Sequence, residues 1–250
     1  MRSSPKCTCA CGSVPLAERA PSSAGGRRGA RTAAPSTAQR EHVILLHGIW
    51  MRGITLLPLA RRLRHAGYSV ETIDYASVFR GIGPAVEALR ERMRASDSGA
   101  VHLVGHSLGS LVALEAARGV RGLPKGRIVC IGSPLRGSAV ARTLASVPGG
   151  RLLLGQSAPP LLSGLDAWKS ARAVGVIAGR LPFGLGVTIG PLSAPHDGTV
   201  SVSETRLAGI ADHVVVDASH TGLLFSGEVA DLTVNFLRDA RFPSSDAEGA

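Results

Sequence analysis

Gly105-His106-Ser107-Leu108-Gly109 is the stretch of this sequence best suited to do chemistry. A serine hydroxyl is a weak nucleophile until a base takes its proton and a carboxylate orients that base. The G-x-S-x-G spacing would lift Ser107 out of a sharp strand-to-helix turn, with Gly105 and Gly109 leaving room for neighbouring backbone. The bare pattern is cheap in a chain with 31 glycines, so its surroundings must decide. It lies between an apolar run at 101–105 and a helical segment at 108–118. A helix start there would favour negative charge beside Ser107. The plain alternative is a serine that merely caps a helix, and the available partners weigh against it.

His220 follows the last apolar run, 212–218, and is the expected base. Asp197, in the turn made by Pro195 and Gly198, is the expected acid, because backbone N–H groups in such a turn can hold a carboxylate. The order nucleophile, acid, base along the chain fits these assignments. Other candidates are worse placed. His102 sits inside a strand, His65 on a helix surface, His106 within the turn itself, His213 at the wrong end of its strand and His196 in a loop. Asp166 precedes the fifth strand, Asp212 opens the sixth, and Asp217 lies within it.

Acyl transfer also needs backbone donors aimed at the developing alkoxide. The N–H of Leu108 is one. The second is expected in Leu45-Leu46-His47-Gly48-Ile49-Trp50, where Gly48 lets the chain turn and the Ile49 N–H face the pocket. His47 would then pack or hydrogen-bond beneath that loop. An ordinary strand end is the bland reading of His47-Gly48.

The elements that must position these groups are legible from residue 41 onward. Short β-branched runs at 42–46, 69–75, 101–105, 127–132, 173–178 and 212–218 alternate with amphipathic segments at 56–65, 86–95, 108–118 and 226–239. That alternation predicts an α/β fold with about six strands, mostly parallel, in a doubly wound sheet. About forty residues without a strand, within 135–172, predict a small helical cap. It is leucine-rich and interrupted at Pro148-Gly149-Gly150 and Pro159-Pro160. Such a cap would line an acyl pocket, either as a hinged lid or as helices packed permanently on the sheet.

Composition excludes other classes. Hydrophobic residues at 44% are enough for a core, which rules out disorder throughout. No apolar run reaches the roughly 18 residues of a membrane span. Aromatics at 4% argue against nucleic-acid binding by stacked rings. Of the net charge of +10, residues 1–40 carry +6, so the remainder is only mildly basic. Residues 1–41 read as a basic disordered tail, 42–241 as the folded domain, and 242–250 as a C-terminal tail. The N-terminal stretch lacks the apolar core of a secretory signal, so a cytoplasmic address is expected. Cys7, Cys9 and Cys11 lack zinc-site spacing, and Cys130 reads as a buried thiol.

Together His47-Gly48-Ile49-Trp50, Gly105-His106-Ser107-Leu108-Gly109, Asp197-Gly198-Thr199-Val200 and Ser219-His220-Thr221-Gly222 resemble the α/β-hydrolase fold. The likeness is to small bacterial lipases and carboxylesterases of the triacylglycerol-lipase type, over roughly residues 42–240. It departs from the larger members in lacking their first two strands. The resemblance implies ester hydrolysis without cofactor or metal, through an acyl-enzyme on Ser107, with Asp197 as acid, His220 as base, and Ile49 and Leu108 as oxyanion donors. The implied partner is a small-molecule or lipid ester, with no specific nucleic acid. An acyltransferase or thioesterase would use the same triad, and a non-catalytic binding member of the fold is the alternative outside enzymes.

Overall fold

The computed structural model describes residues 40–184 and 186–243. Six strands form one sheet: β1 His42–Leu46, β2 Ser69–Ile73, β3 Val101–His106, β4 Ile128–Ile131, β5 Val174–Gly179 and β6 Asp212–Val216. All pairings are parallel and the order is β2-β1-β3-β4-β5-β6. The helices are α1 Leu57–His65, α2 Ser77–Arg80, α3 Gly83–Ala95, α4 Leu108–Ala117, α5 Ala139–Ser146, α6 Gly150–Leu154, α7 Ala158–Ser163, α8 Gly186–Ile189, α9 Val202–Thr205 and α10 Gly227–Asp239.

The hydrophobic runs explain this arrangement. β3, β4 and β5 are buried along their whole length, as strands covered on both faces must be. Alternate residues serve opposite faces. Ile44, Leu46 and Leu103 pack with Val86, Leu89 and Met93 of α3 and with α4. Val43, Leu45 and Val104 pack with Leu59 and Leu63 of α1 and with Val229 and Phe236 of α10. Each such side chain contributes about 1.5–3 kcal/mol of burial. The edge strands β2 and β6 are only partly covered and carry polar residues accordingly.

The chain winds from β1 outward to β2 and then back past β1 to β3, so its direction reverses between β1 and β3. Loops leaving the carboxyl ends of these two strands diverge, which opens a crevice there. The loop after β1 carries Gly48 and Ile49, and the turn after β3 carries Ser107.

Several boundaries differ from the sequence expectation. β2 stops at Ile73 because Tyr75 is drawn onto His47, with which its ring stacks at 4.3 Å. β3 runs one residue further, through His106. In the cap, Pro159 and Pro160 do not break a helix: they occupy the first turn of α7, where the missing N–H is no loss. The cap packs through Leu144, Leu154, Ala158 and Leu161. Phe242, expected in the terminal tail, is buried against Phe236 at 5.1 Å between ring centroids. The rest of the two expected tails, and Cys7, Cys9 and Cys11, lie outside the described residues, apart from Arg40, Glu41 and Pro243.

Candidate active site

Ser107 is held at φ 53°, ψ −121°, between β3 and α4. A non-glycine residue there is strained, and such strain persists only where the surroundings impose it. They do so here through packing. A Cβ on Gly105 would lie 2.4 Å from Ser110 N, and one on Gly109 would lie 2.3 Å from Leu46 O. The Ser107 N–H donates to Ile131 O at 2.9 Å, fixing the turn to β4. Gly105→Ala and Gly109→Ala are each expected to destabilise the fold by about 3 kcal/mol or more, since backbone would have to move. Urea midpoints within experimental error of the native protein would show that the turn yields.

Asp197 is buried and collects three hydrogen bonds. Oδ1 accepts from Thr199 N at 2.9 Å and Val200 N at 2.7 Å, while Oδ2 accepts from His220 Nδ1 at 2.7 Å. The His220 N–H also donates to the Asp197 carbonyl at 2.8 Å. With Nδ1–H committed to the carboxylate, a neutral His220 ring carries its lone pair on Nε2. Residues 197 and 220 come from the loops after β5 and β6, whose carboxyl ends share the edge at which Ser107 emerges. Among the described residues neither Ser107 Oγ nor His220 Nε2 has a hydrogen-bond partner. Contacts of this kind are commonly long in the resting state and tighten on the substrate.

Two contacts beside this pair escaped the sequence reading. Gly132 follows β4 at φ 55°, and a Cβ there would lie 3.2 Å from His220 Nδ1 and 3.3 Å from Asp197 Oδ2. Its place just after an apolar strand was the available signal. His106, fully buried, donates from Nε2 to the His220 carbonyl at 3.0 Å, and its ring lies 4.7 Å from that of His220. That contact spans 114 residues and leaves no local mark on the sequence.

Burial, and then the charge of His220, push the His106 pKa down to about 3, against smaller opposing effects of the His220 carbonyl and Asp197. In the unfolded chain an imidazole titrates near about 6.5. Between these values the unfolded state binds the extra proton, so the stabilisation is complete above about pH 6.5 and is lost as pH falls toward 3. His106→Gln keeps a donor but does not titrate. Its urea midpoint is expected to fall less than the native one from about pH 7 to about pH 4, and parallel falls would assign the acid sensitivity to other groups.

The loop after β1 is pinned from below. His47 is buried, and its Nδ1 donates to Gly48 O at 2.8 Å. His47 Nε2 lies 3.0 Å from Asp74 Oδ1 and 3.2 Å from Tyr75 N. The Tyr75 hydroxyl donates to His47 O at 2.6 Å. Because C=O and N–H point opposite ways across a trans peptide, holding Gly48 O on His47 turns the Ile49 N–H away from that ring. A Cβ on Gly48 would lie 3.2 Å from Ser107 Cβ, so the loop touches the turn that carries the serine. Among the described residues the N–H groups of Ile49 and Leu108 donate to no backbone or side-chain acceptor.

A cleft of about 730 Å³ adjoins this point. Its walls include Trp50, Met51, Val78, Phe79, Leu152 and Leu153, with Asp74 at one end. A Cβ on Gly48 would also lie 3.2 Å from Met51 Sδ, so Met51 packs at the same point of the loop. The Trp50 indole N–H donates to Leu153 O at 2.9 Å, tying the β1 loop to cap helix α6. A larger cavity of about 860 Å³, with Glu41, His102 and Arg172 in its wall, lies at the amino ends of the strands, away from Ser107.

The rival groups are engaged elsewhere. His102 Nδ1 accepts from Arg127 N at 3.1 Å, and its Nε2 lies 3.3 Å from Glu41. His213 Nε2 lies 2.8 Å from Thr205 Oγ1. Asp212 accepts from Phe242 N at 2.7 Å, and Asp217 pairs with Arg180. Burial pushes the Cys130 thiol up to about 12, far from a reactive thiolate. Among the described residues no three metal-ligating side chains cluster.

A sequence model described as "Alpha/beta hydrolase family" matches residues 43–232. No curated protein matches the sequence. Among solved structures, the lipase BlEst2 of Bacillus licheniformis in its propeptide form is similar at 18% identity and a TM-score of 0.68, covering 82% of this chain. This chain spans about half of that one, 51%. The mature form gives 17% identity and a TM-score of 0.61, covering 83% of this chain and 94% of that one. A metagenomic carboxyl esterase, MGS0156, gives 17% identity and a TM-score of 0.57, covering 76% and 68%. At these identities the likeness is one of fold.

Proposed function

We propose that this chain, which belongs to the alpha/beta hydrolase family, is a serine hydrolase that cleaves carboxylic esters through an acyl-enzyme on Ser107. The observation that carries this reading is the strained Ser107 turn at the same sheet edge as the Asp197–His220 pair, whose side chains meet at 2.7 Å.

Ser107 Oγ attacks the ester carbonyl while His220 Nε2 takes its proton. Asp197 keeps Nδ1 protonated and stabilises the imidazolium. The N–H groups of Ile49 and Leu108 receive the oxyanion, and each such donor is worth about 3–4 kcal/mol in the transition state. Collapse expels the alcohol, which takes its proton from His220. Water activated by the same imidazole then releases the acid. Every proton and bond is supplied by substrate, water and these side chains, so the cycle closes without a cofactor.

The apolar cleft walled by the β1 loop, which packs on the Ser107 turn at Gly48, supports an acyl chain as the group bound, and a hydrocarbon tail there gains about 0.8 kcal/mol per buried CH₂. Turnover of p-nitrophenyl esters of graded length is the direct assay. kcat/KM is expected to climb with chain length until the cleft is filled. Rates no better than background on every ester would overturn the assignment.

A further inference from the structure

All eleven large hydrophobic side chains that are exposed among the described residues lie at one edge of the sheet. Each falls between the carboxyl end of a strand and the first turn of the helix that follows, or in the cap. Ile54 follows β1, Phe79 follows β2, Leu152 belongs to the cap, Phe183 follows β5 and Phe225 follows β6, with exposures from 58% to 85%. The loops at the amino ends of the strands carry none. Because the six strands are parallel, this edge is the one from which Ser107 emerges. Leaving so many apolar side chains in water on one face forgoes the stabilisation that burial would bring, and such a face marks an interaction surface.

We propose that this edge docks onto a lipid surface bearing anionic headgroups and that the ester substrate is drawn from that surface. The proposal rests on the ester-hydrolase reading and deepens it. The exposed side chains stand on five separate segments of the edge from which Ser107 emerges, so a folded protein seated across them would close the path to Ser107. A fluid lipid layer would cover the same side chains and deliver substrate through their midst.

The charges fit that occupant. Arg80 follows Phe79 and Arg151 precedes Leu152, and both guanidinium groups are exposed without a carboxylate partner among the described residues. Arg52 is paired with Asp74, and Arg180 with Asp217. Glu228, near Phe225, is set in the first turn of α10, where the helix end offsets its charge. Apolar side chains entering the acyl region beside arginines at headgroup level are the two signals that stable peripheral binding needs.

The chain reports on this itself. It has two tryptophans: Trp50 at this edge is 57% exposed, and Trp168, 4% exposed, has its indole N–H bonded to Arg172 O. The full chain with Ser107→Ala, which leaves the lipid intact, is mixed with vesicles of phosphatidylcholine containing phosphatidylglycerol. The expected result is co-sedimentation with a blue shift of Trp50 emission, absent in Trp50→Phe. The triple substitution Ile54→Gln, Phe183→Gln, Phe225→Gln, all outside the cleft, is expected to weaken vesicle binding about tenfold or more. It should leave hydrolysis of a dissolved short-chain ester unchanged. No vesicle binding overturns the proposal, as does equal binding by the triple variant. Binding without a Trp50 shift also overturns it, because it assigns attraction to the arginines of residues 1–40. A lipid-free dimer abolished by the triple substitution would give the face to a second copy. Failure of the short-chain assay with vesicle binding intact would instead count against the hydrolase reading alone.

Discussion

Replacing Ser107 by alanine is expected to lower kcat on an activated ester by about 10⁴–10⁶-fold while leaving the urea midpoint near or above its native value. Removing the hydroxyl also removes a polar group from a strained position, φ 53° at Ser107. His220→Ala should cost about as much, because an alcohol without its base is no better than no alcohol. The diagnostic result is the double variant. If both groups act in one step, Ser107→Ala with His220→Ala is no slower than either alone, the residual rate coming from binding and the oxyanion donors. Losses that multiply would separate the two residues functionally and leave His220 a structural histidine.

Asp197→Asn is expected to cost about 10⁴-fold in kcat with little change in fold. The substitution preserves volume, and the side-chain carbonyl can still accept from Thr199 N and Val200 N, which now lie 2.9 and 2.7 Å from Oδ1. Its NH₂, however, would face His220 Nδ1 as a donor. The imidazole would then carry its proton on Nε2, the wrong nitrogen to take one from Ser107. A loss below about tenfold would mean that Asp197 only supports the loop, and would direct attention back to the other carboxylates near β6. Asp217, engaged with Arg180 on the surface, should tolerate conversion to Asn in the same assay.

The strands were legible because burial on both faces of a parallel sheet requires uninterrupted β-branched runs. The Ser107 turn was legible because its two glycines flank the serine at fixed spacing, although only Gly105 answers to backbone nearby in sequence, at Ser110, while Gly109 makes room for Leu46 of β1. Asp197 and His220 could be chosen by elimination, since each follows a strand and so reaches the same edge. What local pattern could not reveal is contact between distant segments. The Tyr75 hydroxyl ends under His47, and this shortens β2 relative to its apolar run. The His106 bond to the His220 carbonyl, the Gly132 clearance and the burial of Phe242 likewise depend on which segments the sheet order brings together. Pro159 and Pro160 misled for a different reason: a proline pair reads equally well as a break or as a helix start.

The central claim, an alcohol made nucleophilic by three convergent side chains, is tested most directly with a fluorophosphonate probe followed by mass spectrometry of the labelled chain. A single adduct on Ser107, formed within minutes by the native protein and suppressed by His220→Ala, is the expected outcome. An adduct on a different residue, or none on a folded protein after prolonged exposure, would contradict it.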